Sequence, residues 1–277
     1  MTDAEEQALL ATLRQVSQDE ILPRFRALAG AEVDQKSGQD DLVTIADTRA
    51  EAAITEAALT ILPGVTVVGE EAVSRGDISL DVIGTADRCL IIDPIDGTWN
   101  FANGVGCFGI LLALVENGET VWGGIYDPLG NDWMVARKGQ GAHFCRADGQ
   151  SRPVHVAEAQ SAEAAFGLVA IYLYHGEERR HLNDVAMTFR RTGNLRCSAH
   201  EYRLLADGRA DFMLTGLLHP WDHAAGALIY REAGGVARLL GGQDYRPTMT
   251  EGRMLCAPSE AAWHDLANRF ARLAPQS

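Results

Sequence analysis

Two carboxylates three residues apart, Asp93 and Asp96, flank Pro94 in the run Asp93-Pro94-Ile95-Asp96-Gly97-Thr98. Proline fixes one backbone angle, so both side chains can converge on one point and hold a cation. The donors are hard oxygens with no histidine or cysteine beside them in the chain, which favours Mg²⁺ or Mn²⁺ over zinc. Gly97 lets the backbone come close to a ligand, and Thr98 can open a helical turn whose free N–H groups suit a phosphate. Metal and anion would then share one loop. Asp-x-x-Asp also serves in ordinary turns, so the weight comes from two further segments. Glu70-Glu71 follow an apolar strand, where a surface pair is the plain alternative. Asp222, after Trp221, stands at the start of a helix, where an N-cap is the plain alternative.

These residues need elements to position them. Apolar positions Leu9, Leu10, Leu13, Val16, Ile21, Leu22, Phe25 and Leu28 recur at helical spacing over 4–29, with a bend at Pro23 and a stop at Gly30. Residues 31–46 lack periodicity and read as a loop with a short hairpin. A helix follows from Asp47 to Leu62, capped by Asp47 or Thr48 and ended by Pro63-Gly64. The short strands Val65–Val68 and Cys89–Ile92 run into the two acidic clusters. Antiparallel strands are expected at Cys107–Val115, Val121–Tyr126, Trp133–Arg137 and Gly141–Cys145, with Asn117-Gly118 as a hairpin turn. The polar, alanine-rich stretch 156–164 is the expected boundary. Beyond it, helices are expected near 178–191, 199–207, 222–233 and 259–273, with strands near 194–197, 210–214, 236–240 and 254–257. No internal repeat or low-complexity tail is evident.

At 277 residues with a net charge of −14, the chain can bury a large core and disfavours nucleic acid or an anionic membrane as its main partner. The five cysteines (Cys89, Cys107, Cys145, Cys197, Cys256) are odd in number and scattered. Their spacing implies neither a disulfide framework nor a thiolate zinc site, and a reduced, cytoplasmic setting is expected. The opening Met1-Thr2-Asp3-Ala4-Glu5-Glu6 is acidic where a signal peptide would be basic, and no long apolar run follows.

Gly69-Glu70-Glu71, Asp93 through Phe101, and Trp221-Asp222-His223-Ala224-Ala225-Gly226 resemble, in order and spacing, the three signature segments of the inositol monophosphatase family. Asp41-Leu42-Val43-Thr44 followed by Asp47, and Ala136 through Ala142, extend the resemblance, which runs from about Lys36 to Gly235. It implies an α+β fold, the layered αβαβα sandwich of sugar phosphatases. Residues 1–155 would form an α+β half with a large antiparallel sheet and the metal-binding loops. Residues 156–277 would form an α/β half with the specificity elements and the last metal ligand. The resemblance assigns Glu70, Asp93 and the carbonyl of Ile95 to one Mg²⁺, and Asp93, Asp96 and Asp222 to a second. A third, weaker ion would lie near Glu70, and Mn²⁺ is a possible substitute. Thr98 and Asp47, with Glu70, carry the catalytic role, orienting an attacking water and accepting its proton. Asp96, Gly97, Thr98, Arg196, Ser198, Ala199, Thr215 and Asp222 would face the substrate, a small phosphorylated metabolite, and a homodimer is implied.

The chain departs from the inositol-specific pattern in its second half. Asn194-Leu195-Arg196-Cys197-Ser198-Ala199-His200-Glu201-Tyr202 carries His200 and Glu201 where small residues are expected, and His200 reads as an exposed helix residue, with a substrate contact as the alternative. Thr215 stands seven residues before Asp222, where those members have a glutamate that grips sugar hydroxyls. Trp99-Asn100 is nearer the inositol phosphatases than the Lys-Glu of adenosine 3′-phosphate phosphatases. Inositol 1-phosphate is the family default that the resemblance implies, not an inference from these residues. Histidinol phosphate, fructose 1,6-bisphosphate and nucleotide 3′-phosphates are rivals, and a non-catalytic regulatory protein on this scaffold is the reading from another class.

Overall fold

The computed structural model describes residues 1–29, 32–38 and 41–273. The expected stop at Gly30 lies outside them. Helix α1 (Asp3–Val16) begins in a Thr2–Glu5 capping box and passes into a wider π-type turn, Ser17–Ile21, before Pro23. A hairpin of β1 (Val33–Gly38) and β2 (Asp41–Thr44) leads to α2 (Ile45–Ile61). The cap of α2 is Thr44; Asp47 is the third helical residue and completes the box, which corrects the expected cap at Asp47 or Thr48.

A seven-stranded sheet follows, in the order β3 (Thr66–Gly69), β4 (Arg88–Asp96), β5 (Gly109–Glu116), β6 (Glu119–Asp127), β7 (Asp132–Arg137), β8 (Ala142–Arg146) and β9 (Ser151–Pro153). Only β3 and β4 are parallel. The short helices α3 (Glu70–Ser74) and α4 (Val82–Thr85) lie between β3 and β4, and α5 (Thr98–Ala102) follows β4. Asn117 and Gly118, both at positive φ, make the β5–β6 turn as expected. The second half contributes β10 (Phe166–Val169), α6 (Gly176–Ala186), β11 (Arg191–Gly193), α7 (Ser198–Ala206), β12 (Phe212–Thr215), α8 (Pro220–Glu232), β13 (Val236–Leu239), β14 (Met254–Ala257) and α9 (Glu260–Arg269). Its sheet has the order β11-β10-β12-β14-β13. The expected strand at 194–197 is a loop, since β11 ends at Gly193, and β10 was not expected at all.

Alternation in the strands builds the layers. Leu111, Ala113 and Val115 of β5 enter the core shared with α7 and α8, whereas Ile110, Leu112 and Leu114 face α1 and α2. In the second sheet, Met213, Met254 and Cys256 meet that same middle core, and Leu214, Leu255 and Ala257 pack with Trp263 and Leu266 of α9. The result is the expected αβαβα sandwich, with α7 and α8 between the sheets.

That middle layer is tight. A Cβ on Gly226 of α8 would lie 2.0 Å from Cδ2 of Tyr202 of α7. Gly226→Ala is therefore expected to cost about 1–3 kcal/mol by overpacking and to lower the melting temperature; an unchanged melting curve would contradict the close approach of the two helices.

Candidate active site

In a regular strand, residues three apart point to opposite faces. Asp93 and Asp96 escape this because β4 carries an extra residue between them: Asp93 pairs with Leu111 and Asp96 with Gly109, so three steps on β4 match two on β5. The bulge turns Asp96 to the side of Asp93, and Pro94, which has no N–H to lose, sits within it. Asp222 arrives from the first turn of α8, behind Pro220 at its first position. Carboxylate oxygens of Asp93, Asp96 and Asp222 all lie within 4.8 Å of one another.

Two supports hold Asp96. The backbone N–H of Ala199, at the start of α7, donates to its Oδ2 at 2.5 Å, and the Cys197 thiol donates to the same oxygen at 3.1 Å. The Ser198 N–H adds a further bond. Gly109 lets α7 approach, since a Cβ there would stand 2.8 Å from that of Ala199. Gly97, at φ +86°, keeps Thr98 near Asp96, and a Cβ on it would meet the Cys107 carbonyl at 2.8 Å.

Asp47 is fully buried on α2. Its Oδ2 accepts from the N–H and hydroxyl of Thr44 at 2.8 and 2.5 Å, which leaves Oδ1 to Thr98 Oγ1 at 3.2 Å. The same Thr98 hydroxyl lies 3.0 Å from the Ile95 carbonyl. Glu70 opens α3 outside the tight cluster, with its Oε1 2.8 Å from Lys36 Nζ, which also reaches Glu71 at 2.7 Å. Burial opposes charge on Lys36, yet Glu70 and Glu71 together raise its pKa.

The sequence-predicted substrate residues divide. Arg196, at φ +52°, stacks its guanidinium over Trp99 at 4.4 Å and Tyr172 at 5.0 Å, beside α5. Asn100 ties that loop down by donating to the Cys107 and Leu195 carbonyls at 2.9 and 2.8 Å. Ser198 and Ala199 act on Asp96 through backbone N–H groups. Thr215, by contrast, ends β12 and gives its hydroxyl to the Leu217 carbonyl at 3.3 Å. His200 is not an exposed helix residue: it is half-buried, with Nε2 3.1 Å from the Phe108 carbonyl, because the 194–197 loop folds α7 onto β5. Glu201 is buried and accepts from Asn194 Nδ2 and Leu195 N at 2.8 and 2.7 Å, so it shapes this loop.

Sequence reasoning missed Lys36, Glu51 and Cys197 as parts of the site. Glu51 receives the N–H groups of Glu71 and Ala72 at 2.7 and 2.9 Å and so seats α3, and Gly69 is needed because a Cβ would stand 2.3 Å from the Glu51 carboxyl carbon. A signal existed: Asp47 and Glu51 are acids one turn apart along the buried Ala46, Ala50, Ile54 stripe of α2.

Burial, then Glu70, Asp96 and Asp222, push the Asp93 carboxyl well above its ordinary range, and burial followed by Asp96 and Glu70 does the same to Asp222. Burial raises Asp96 to about 6 against the pull of the α7 N–H groups, and raises Asp47 to about 7. Asp93 Oδ1 is buried with no hydrogen-bond partner. An orphaned carboxylate oxygen amid converging acids fits a hard divalent cation, which an oxygen donor set selects.

A layered sandwich whose sheet and helix ends gather buried acids is the sugar-phosphatase class of fold. A profile of the inositol monophosphatase family matches residues 4–276, and the chain belongs to that family. A Thermotoga maritima protein named fructose-1,6-bisphosphatase/inositol-1-monophosphatase is 33% identical over 76% of this chain and 77% of its own. The Escherichia coli protein named Nus factor SuhB is 33% identical over 82% of this chain and 83% of its own. Among solved structures, a Thermotoga maritima IMPase superposes with a TM-score of 0.79 at 28% identity, covering 95% of each chain. Among the described residues no helix is long and apolar enough to cross a membrane.

The raised carboxyls make a signed prediction. With Asp47 at about 7 and Asp96 at about 6 against 3.8 for the free group, the folded, metal-free protein holds protons that the unfolded chain releases. Its stability therefore falls as pH rises through those values and is recovered on acidification towards the unfolded range. In chelator, the melting temperature should be higher at about pH 5.5 than at about pH 8, and Mg²⁺ should remove most of the difference. A metal-free melting temperature that climbs with pH over this window would contradict the buried cluster.

Proposed function

We propose that this chain is a Mg²⁺-dependent phosphomonoesterase acting on a small polyol or sugar phosphate, with inositol 1-phosphate as the default substrate. The supporting observation is the meeting of Asp93, Asp96 and Asp222 within 4.8 Å, beside a part-buried Asp47–Thr98 hydrogen bond. Glu70, Asp93 and the Ile95 carbonyl would hold one ion, and Asp93, Asp96 and Asp222 another; Glu70 would exchange its Lys36 contact for the metal. Bound there, Mg²⁺ supplies positive charge to a dianionic ester and makes water more acidic.

The protein's own groups do the rest. Thr98 Oγ1 has one proton and two recorded acceptors, the Asp47 carboxylate and the Ile95 carbonyl. While it donates to Asp47 Oδ1, its lone pairs can accept from an attacking water. Because Thr44 occupies Oδ2, the proton relayed from that water through Thr98 settles on Oδ1. The backbone of Gly97 and Thr98 would face the phosphoryl group, and Arg196, stacked over Trp99 of α5, would contact the polyol. With Thr215 short and turned to Leu217, the sugar grip of the inositol-specific members is replaced, so specificity is set by the Arg196–Ala199 loop.

The name of the Escherichia coli relative raises a binding role as the second reading. The complete acid set and the intact Asp47–Thr98 pair favour catalysis over it. A panel of inositol, sugar, histidinol and nucleotide 3′-phosphates assayed with Mg²⁺ tests the substrate class; release confined to nucleotide 3′-phosphates would refute the polyol preference. Thr98→Ala should lower kcat by about 10²–10⁴-fold, and Asp93→Asn should abolish turnover. Unchanged phosphate release by Asp93→Asn would defeat the catalytic assignment.

A further inference from the structure

The fold assembles a second donor set that chain spacing hides. Cys107, just before β5, Cys197, at the cap of α7, and His200, in its first turn, place two thiol sulfurs and a ring nitrogen within 4.8 Å of one another. We propose that Cys107, Cys197 and His200 form a site for a thiophilic divalent cation, zinc in the first instance, which inhibits the enzyme by drawing Cys197 away from Asp96.

The donor types are those of a Cys₂His zinc site, in which tetrahedral Zn–S and Zn–N distances of about 2.3 and about 2.0 Å hold the ligands roughly 3.5–3.8 Å apart. Closing the present arrangement needs side-chain movements of about an ångström. The supporting shell is already built. A backbone carbonyl can only accept, so the His200 Nε2 that meets the Phe108 carbonyl at 3.1 Å carries the proton, and Nδ1 of the neutral ring keeps its lone pair. Donation from the second nitrogen to a backbone carbonyl is the usual support of a metal-ligating histidine.

There is also a way in. A solvent-open cavity of about 270 Å³ is lined by Cys107 and His200 together with Arg152, Arg203 and Arg209. These arginines do not present a bare positive wall, since Arg203 pairs with Asp132, and Arg152 and Arg209 both pair with Asp207. Three protein ligands leave a fourth position for water from this side.

The coupling to Asp96 follows from one hydrogen bond. The Cys197 thiol donates to Asp96 Oδ2 at 3.1 Å. A cation that takes this sulfur as thiolate releases the thiol proton to solvent, removes the donor and leaves a sulfur committed elsewhere. Asp96 then loses one of its supports. This inhibitory consequence rests on the phosphatase reading; the metal site does not.

The test uses the full chain, kept reduced by a phosphine, titrated with Cd²⁺ while the ultraviolet thiolate-to-metal charge-transfer band is followed. Wild type should saturate at one equivalent, Cys107→Ser should lose the band, and His200→Gln, which keeps a donor for the Phe108 carbonyl, should bind at least about 10-fold more weakly. No band in wild type, or a band that persists in Cys107→Ser, would overturn the site. In saturating Mg²⁺, zinc should inhibit wild type at a concentration at least about 10-fold below that needed for Cys107→Ser. Equal inhibition of the two would place zinc among the carboxylates and overturn the link to Asp96. Phosphate release absent from every protein would refute the phosphatase reading, with the band still deciding the site.

Discussion

Like charges gathered out of water dominate this molecule. Two unit charges roughly 4 Å apart repel by about 4 kcal/mol at an effective dielectric near 20, and here three carboxylates have oxygens within 4.8 Å, with Asp93 and Asp47 sealed from solvent. Such an arrangement persists only if protons or cations neutralise it. The surrounding structure serves to keep the acids together: a bulge in β4, the α7 amides on Asp96, a capping box on α2 around Asp47, and Glu51 seating α3. The bulge, the α7 amides and the α2 cap are backbone or helix-end groups, and Glu51 is a buried side chain held by two backbone N–H groups, so the geometry is set largely by the fold.

The strand ends, the Asn117-Gly118 turn and the periodicity of α1, α2, α8 and α9 were legible in the sequence, because alternation and helical spacing report burial directly. So were the acids of the cluster, which sit in compact, ordered motifs. Less legible were features that depend on the meeting of distant segments. Strand β10 contains Gly167, where a Cβ would strike the Phe212 ring at 2.1 Å, and only that packing explains a glycine in a central strand. Lys36 and Cys197 read as unremarkable residues, and Glu201 only as a bulky departure from the family pattern, until the fold brings them against Glu70, Asp96 and the 194–197 loop. His200 misled because its local pattern is helical and polar, while the carbonyl that buries it belongs to Phe108, far away in the chain.

The net charge of −14 takes on a different meaning beside this geometry. A strongly acidic protein repels a phosphate ester, yet most of its buried acids gather where cations would reverse the local sign. On the proposed reading, metal comes before or with substrate, and side chains of the Arg196–Ala199 loop set specificity while its backbone N–H groups hold Asp96. The same loop carries Cys197, so the segment proposed to face the substrate also supports Asp96.

The most direct test is crystallographic: crystals grown with Mn²⁺ and phosphate, measured at the manganese edge. The expected result is anomalous density at the meeting point of Asp93, Asp96 and Asp222, with phosphate bound against it near Thr98. Manganese located elsewhere, with the Asp93 and Asp222 carboxyls sharing a proton and no ion between them, would contradict the claim that this cluster exists to hold divalent metal.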